Sequence, residues 1–238
     1  MIKLINLLKE IYIEPEQEPI DRLALVQARE KLRDYIANGS KGDLDLSNTP
    51  IGALGNLQSV EGNLILNRSL VESLGNLEYV GGKLSAPVPV LTSLGNLKYV
   101  GKSLDVFGAP ITSLGNLEYV GGSAQLGSTR ITSLGKLRTI PQVLDLGGTP
   151  IQSLGNLESV GGTLGLRRTP ITSLGSLKTV GLDLDISGTP LTSLGNLKYI
   201  GGDLYVVDCE LLNYYSVEKI KQLVDIRGKV YTEYPSGD

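Results

Sequence analysis

The sequence predicts a repeat solenoid, mainly β, whose coils pair through parallel strands. Three observations predict it. First, nine lines of twenty residues align without an insertion, with the strand position at Leu44, Leu64, Leu84, Leu104, Ala124, Leu144, Leu164, Leu184 and Leu204, and fixed-period repetition marks a solenoid. Second, within one line Leu164 and Leu166 are two apart, the strand period. Ile171, Leu174, Leu177 and Val180 are three apart, too tight for a long α-helix. Third, Gly55, Gly75, Gly95, Gly115, Gly135, Gly155, Gly175 and Gly195 fill one column without exception. A column that admits only glycine marks a positive φ or a close approach between coils.

Each coil should therefore carry a short strand, a turn and an irregular or 3₁₀ return segment. A serine precedes the glycine column, as in Ser153-Leu-Gly-Asn156, and suits a turn in which its oxygen caps backbone N–H groups. Thr49, Ser69, Thr129, Thr149, Thr169, Thr189 and Cys209 share another column. A small polar side chain there can bond the backbone where the strand bends away. Cys209 reads as a buried substitute in that ladder, since no histidine exists to activate it.

The frame L-x-x-V-x-x-x-L-x-L-x-x-T-x-I, as in Leu157 to Ile171, resembles the leucine-rich repeat family. The segment NLEYVGGKLSA, residues 76–86, is similar to the receptor L-domain subtype. Threonine stands where that family has asparagine, and one extra residue precedes the strand, usually in a Gly-Gly step. The resemblance implies a leucine-rich-repeat-like solenoid that serves as a binding scaffold, flatter than a helical horseshoe because its returns are short.

Three regions are expected: a helical N-terminal cap over 1–40, a solenoid of nine coils over 41–212, and a C-terminal cap and tail over 213–238. An open solenoid exposes core at both ends and needs caps. Residues 22–37 fit an amphipathic helix with Leu23, Leu25, Val26, Ala28, Leu32, Tyr35 and Ile36 on one side and Asp21 as N-cap. A first short helix is expected before the linker EPEQEP, residues 14–19. At the other end, Ser216 can cap a helix to about Asp225, KVYTEY reads as a closing strand, and PSGD reads as a frayed tail.

Composition narrows the function. The 238 residues carry a net charge of −3, no histidine and one cysteine. That speaks against a broadly basic nucleic-acid binder, removes the commonest general base and metal ligand, and leaves no multi-cysteine zinc site. No cofactor and no catalytic residue is expected. The first residues, MIKLINLLKEIYIE, are broken by Lys3, Lys9 and Glu10, so neither a signal peptide nor a membrane span is read, and the expected setting is intracellular. The chain is expected to be a monomer or to self-associate weakly.

Variation concentrates beside the strand leucines. Side chains alternate along a strand, so those columns face out of the sheet, while the return stretch ITSLGNLEYVGG barely changes. The expected function is protein recognition through this face. Ile65, Pro87, Val88 and Phe107, the only phenylalanine, form its apolar part. Asp105, Asp145, Arg167, Arg168, Asp185 and Tyr205 form its polar part. An ion pair of Arg167 or Arg168 with Asp145 or Asp185 is the plain structural alternative. Other readings are carbohydrate or surface-ligand binding along the Asp-rich strip, and a purely structural or assembly role. Asp183 and Asp203, one coil apart, suggest a Ca²⁺ or acid–base pair only weakly, because no third ligand type converges on them.

Overall fold

The computed structural model describes residues 19–234. The expected first short helix and the terminal PSGD lie outside the described residues. The rest is a parallel β-solenoid built from coils of twenty residues.

One face of the solenoid, here the front, is a ten-stranded sheet of two-residue strands running from Leu44–Asp45 to Val230–Tyr231. Pairing is parallel and in register with the repeat: Leu44 meets Leu64, Leu144 meets Leu164, and Leu184 meets Leu204. The tenth strand, Val230–Tyr231, lies beside Leu204–Tyr205 and closes the sheet. It comes from the segment read as a closing strand.

The return segment is more regular than the sequence spacing implied. It carries a second rank of two-residue strands, which forms a four-stranded sheet from Ser59–Val60 to Tyr119–Val120 and a five-stranded sheet from Thr139–Ile140 to Asp225–Ile226. Isolated bridges such as Ala53 with Ser73 begin a third rank. The only 3₁₀ helix among the described residues is Glu210–Asn213, beyond the last return. Residues three apart point inward here because each coil turns a corner between short extended pieces.

A proline splits the back into two sheets. In neighbouring coils a glycine N–H donates across to the previous coil, Gly121 to the Val100 carbonyl at 2.9 Å and Gly161 to the Ile140 carbonyl at 2.8 Å. Pro141 stands in that column and has no N–H to give, so the ladder is interrupted between Tyr119–Val120 and Thr139–Ile140.

The core is a continuous ladder of Leu, Ile and Val. Leu164, Leu166, Ile171, Leu174, Leu177 and Val180 are all buried, and each stacks on its equivalent twenty residues away. Polar groups that enter this interior are paired locally. The hydroxyls of Thr129, Thr149, Thr169 and Thr189 each donate to the carbonyl three residues back at 2.7 Å. Cys209 continues the column, its sulfur 3.4 Å from the Thr189 hydroxyl. Ser153 Oγ accepts the Gly155 N–H at 3.1 Å, and Gly155 adopts φ +58°, so this glycine column serves a left-handed turn.

Both ends are covered. The N-terminal helix, Pro19–Ala37, starts before Asp21, with proline in a first-turn position that needs no N–H donor. Only part of its expected apolar side packs: Ala28 and Leu32 are buried, while Leu23, Val26 and Ile36 are exposed. At the other end Ser216 caps the helix Val217–Leu223 by accepting the Lys219 N–H. Ile220 and Val224 bury against the last coil. No helix among the described residues is long and apolar enough to cross a membrane.

Candidate functional site

Strand register sets the layout of the front face. Counting each coil from residue 41, 61, 81 and so on, its seventh residue lies just past the front strand and faces out. Across four successive coils that rank reads Phe107, Gly127, Gly147, Arg167. The ends of this run are about 14 Å apart, three coil steps at the usual spacing of parallel strands. The two glycines contribute no side chains, so the run is an open trough with a phenyl wall, a guanidinium wall and a backbone floor. It encloses about 570 Å³ and is lined by Phe107, Ser128, Asp145, Gly165, Arg168 and Asp185 besides Gly147 and Arg167.

At one point the floor packs closely against its neighbours' side chains, and a larger residue there would make them shift. A Cβ on Gly127 would lie 2.7 Å from an Asp145 carboxylate oxygen and 3.1 Å from the Phe107 ring. The phenyl ring therefore rests against the Gly127 backbone. Phe107 nonetheless stays half exposed, at 50%, and its face remains available.

The Asp column has a structural job. Asp145 Oδ1 accepts the Gly147 N–H at 2.9 Å, Asp185 Oδ1 accepts the Ser187 N–H at 2.9 Å, and Asp105 Oδ1 accepts the Phe107 N–H at 3.3 Å. Asp45 accepts both the N–H and the hydroxyl of Ser47. These are Asx turns, in which the carboxylate holds the amide two residues on and bends the chain off the strand. The Ser47 hydroxyl, then its amide, hold the Asp45 carboxyl below the usual aspartate value.

The third position of each coil forms a separate ladder. Asp183 Oδ1 accepts the Asp203 N–H at 2.8 Å, and Asp203 Oδ1 accepts the Lys229 N–H at 2.7 Å. Asp43 and Asn63 repeat the arrangement at the other end. Each of these side chains clamps the next coil, and the Asp183 and Asp203 carboxylates are engaged with backbone amides.

The structure gathers half of the expected site and disperses the rest. Phe107, Asp145, Arg167, Arg168 and Asp185 line one trough. Ile65 and Pro87 are half-buried on earlier coils, outside it. Val88 is a correction: it is fully buried, not part of the apolar surface. Elsewhere the ninth residue of the coil donates its N–H to the sixth, as Ser69 to Leu66 and Ala109 to Val106. In this coil the ninth residue is Pro89, so Val88 turns inward instead and donates to Ala86 at 2.8 Å. Asp105 lies 3.9 Å from Lys83. Tyr205 stacks on Tyr231 with centroids 4.9 Å apart. Burial, then the nearby Asp203 and Asp183 carboxylates, push its phenol up.

The ion pair set against the binding reading does not form. Among the described residues, neither Arg167 nor Arg168 pairs with a carboxylate. The Arg167 guanidinium lies over the Tyr234 ring, 4.6 Å from its centroid. Arg168 sits at φ +56°. The sequence reading missed the floor glycines, Ser128 and Tyr234. The floor was readable, since Gly127 and Gly147 stand side by side in a column that otherwise carries side chains.

The back face is of another kind. Tyr79, Tyr99 and Tyr119 stack with centroids 5.0 and 4.7 Å apart. Glu78–Lys98, Glu118–Lys136 and Glu158–Lys178 bridge successive coils at 2.8, 2.7 and 2.7 Å. Such exposed pairs each contribute little. Over these coils the tyrosines stack on one another and most of the charges meet opposite charges.

The fold and face together define a capped parallel β-solenoid with a front trough. Compared with known proteins, the chain matches no family model, no curated protein and no solved structure.

Proposed function

We propose that this protein is a non-catalytic, leucine-rich-repeat-like binding scaffold, closest to the receptor L-domain subtype, which recognises another protein through the front trough. One observation carries the reading: Phe107 and Arg167 line one trough, at either end of a glycine floor, while the back face carries tyrosine stacks and inter-coil ion pairs. A half-exposed aromatic beside guanidinium groups that form no ion pair among the described residues is the composition of an interface hot spot. The Asp column supports the turn geometry and sets the rim. The proposal includes an intracellular setting, with which one buried cysteine free of disulfide is compatible.

The test is capture from a lysate of the source cell, with wild type beside a Phe107→Asp, Arg167→Asp, Arg168→Asp variant. Asp208 already occupies the position equivalent to Arg168 at φ +52°, so aspartate fits that backbone. Circular dichroism checks that the variant keeps its fold. A protein held by wild type and lost by the variant supports the reading. Equal capture by both would move recognition away from the trough.

A further inference from the structure

The trough already touches an aromatic ring, and the ring belongs to the chain itself. Tyr231 pairs with Tyr205 on the last front strand. Three residues later, Tyr234 reaches Arg167, which lies three strands back from Tyr231 in the sheet order. Three strand steps are about 14 Å, and three residues of extended chain span at most about 11 Å. The two side chains cover the remainder, so residues 232–234 are drawn back over the front face.

Burial follows the same path. The seventh-position residues between Arg167 and the closing strand are Ser187 and Val207, 2% and 9% exposed. Their equivalents Ser47 and Asn67 at the other end are not buried. Ser187 Oγ is buried with no hydrogen-bond partner, the one such side-chain atom among the described residues. A buried hydroxyl left unpaired is costly, and this one lies one coil beyond Arg167 on the front face.

We infer that the Arg167 wall of the trough recognises a tyrosine with an acidic neighbour on its partner, and that the Tyr234 ring holds the place of that tyrosine in the free chain. The inference rests on the front-face reading above and names what that face takes. The guanidinium of Arg167 attracts the ring face, a cation–π contact that aromatic side chains supply and aliphatic ones do not. Arg168, beside it and without an ion pair among the described residues, is the cation that would take the partner's neighbouring carboxylate. The tether keeps the tail at an effective concentration on the order of millimolar. It thus weakens an incoming partner without closing the site.

The chain's own tail serves as the probe. A synthetic peptide Thr-Glu-Tyr-Pro-Ser-Gly-Asp, carrying 3-fluorotyrosine, is titrated against the full chain and followed by ¹⁹F NMR. A Tyr234→Ala chain should bind it saturably in the millimolar range. Wild type should bind at least about threefold more weakly, because its own tail competes. Adding Arg167→Ala to Tyr234→Ala should abolish binding, with amide spectra confirming the fold. Arg167→Lys in the same background should restore part of it, since lysine keeps the charge but not the flat guanidinium. No saturation with Tyr234→Ala, equal affinity for wild type, or binding that ignores Arg167 would each overturn the inference. If the peptide fails while lysate capture still depends on Phe107, the front face remains the recognition surface and only the tyrosine assignment falls.

Discussion

Two glycine columns run along this solenoid, and at Gly115 and Gly101 glycine is required for different reasons. That difference yields a quantitative prediction. Gly115 has φ +58°, and a Cβ placed there would meet only the Gly95 carbonyl oxygen, at an ordinary 3.5 Å. Gly115→Ala should therefore cost only the left-handed backbone penalty, about 1–2 kcal/mol. Gly101 has no unusual φ, but its Cβ would collide with the Gly81 carbonyl, whose carbon lies 2.9 Å away. The coils must part there, which weakens the bond from the Gly101 N–H to the Val80 carbonyl at 2.8 Å. A buried group left unpaired costs about 1–3 kcal/mol, and overpacking adds about 1–3 kcal/mol. Gly101→Ala should thus cost roughly 2–6 kcal/mol by those two terms. Urea unfolding followed by circular dichroism measures both. With a slope of about 3 kcal/mol/M, the midpoint falls by about 0.3–0.7 M for Gly115→Ala and about 0.7–2 M for Gly101→Ala. Equal losses, or the larger loss at Gly115, would refute the close-approach account of the coil stacking.

The turn chemistry, the carboxylates and the break between the back sheets can each be probed in the same way. Asp185→Ala should destabilise by about 0.5–1.5 kcal/mol in thermal unfolding, the net worth of one hydrogen bond. Asp185→Asn should be nearly neutral, since an amide oxygen can still accept the Ser187 N–H; a loss as large as that of alanine would contradict the Asx-turn role. Asp43, Asp45, Glu118, Glu158 and Glu218 are held below their ordinary values of 3.8 and 4.5 by hydrogen bonds to Asn63, Ser47, Lys136, Lys178 and backbone amides. Lowered carboxylates contribute stability above their unfolded values, so Tm should fall as pH drops below 4.5 and through 3.8. Tyr35 and Tyr205 are raised above 10.0, chiefly by burial, so their contribution is full below pH 10 and lost above it. A Tm that climbs between pH 5 and pH 3 would contradict this linkage. Pro141→Gly should join the two back sheets. The gained hydrogen bond of about 1 kcal/mol is offset by a more flexible unfolded chain, about 0.4–1 kcal/mol. Tm should therefore move little, while hydrogen-exchange protection at Thr139 and Ile140 rises about tenfold. Unchanged protection there would place the cause of the break elsewhere.

The solenoid was legible because its determinants are local and repeated. One coil that places Leu164, Leu166 and Ile171 inward places every coil so, and the invariant Gly155 column marked a turn whose φ the structure supplies. The second strand rank was harder to read. A two-residue strand such as Tyr79–Val80 has no alternation of its own, and its pairing depends on coils stacking in register. The Asp column had a readable signal that reads equally as an acidic strip: Asp145-x-Gly147 and Asp185-x-Ser187 fit an Asx turn. Val88 was misplaced because the substitution that moves it is its neighbour, Pro89, which cannot supply the usual turn amide. The contact between Tyr234 and Arg167 lay beyond the sequence altogether. It joins two residues 67 positions apart, through a tail whose direction depends on the closing strand.

Site-specific photo-crosslinking shows whether the front face is the recognition surface. A photoreactive amino acid is placed at Ser128, on the exposed rim of the trough, and in a second protein at Ser113, on an exposed turn outside it. Both are irradiated in lysate of the source cell. Recognition through the front face gives a discrete protein adduct from position 128 that is absent from position 113 and lost when Phe107→Asp is added. An adduct from position 113 alone, or one from 128 indifferent to Phe107, would contradict it.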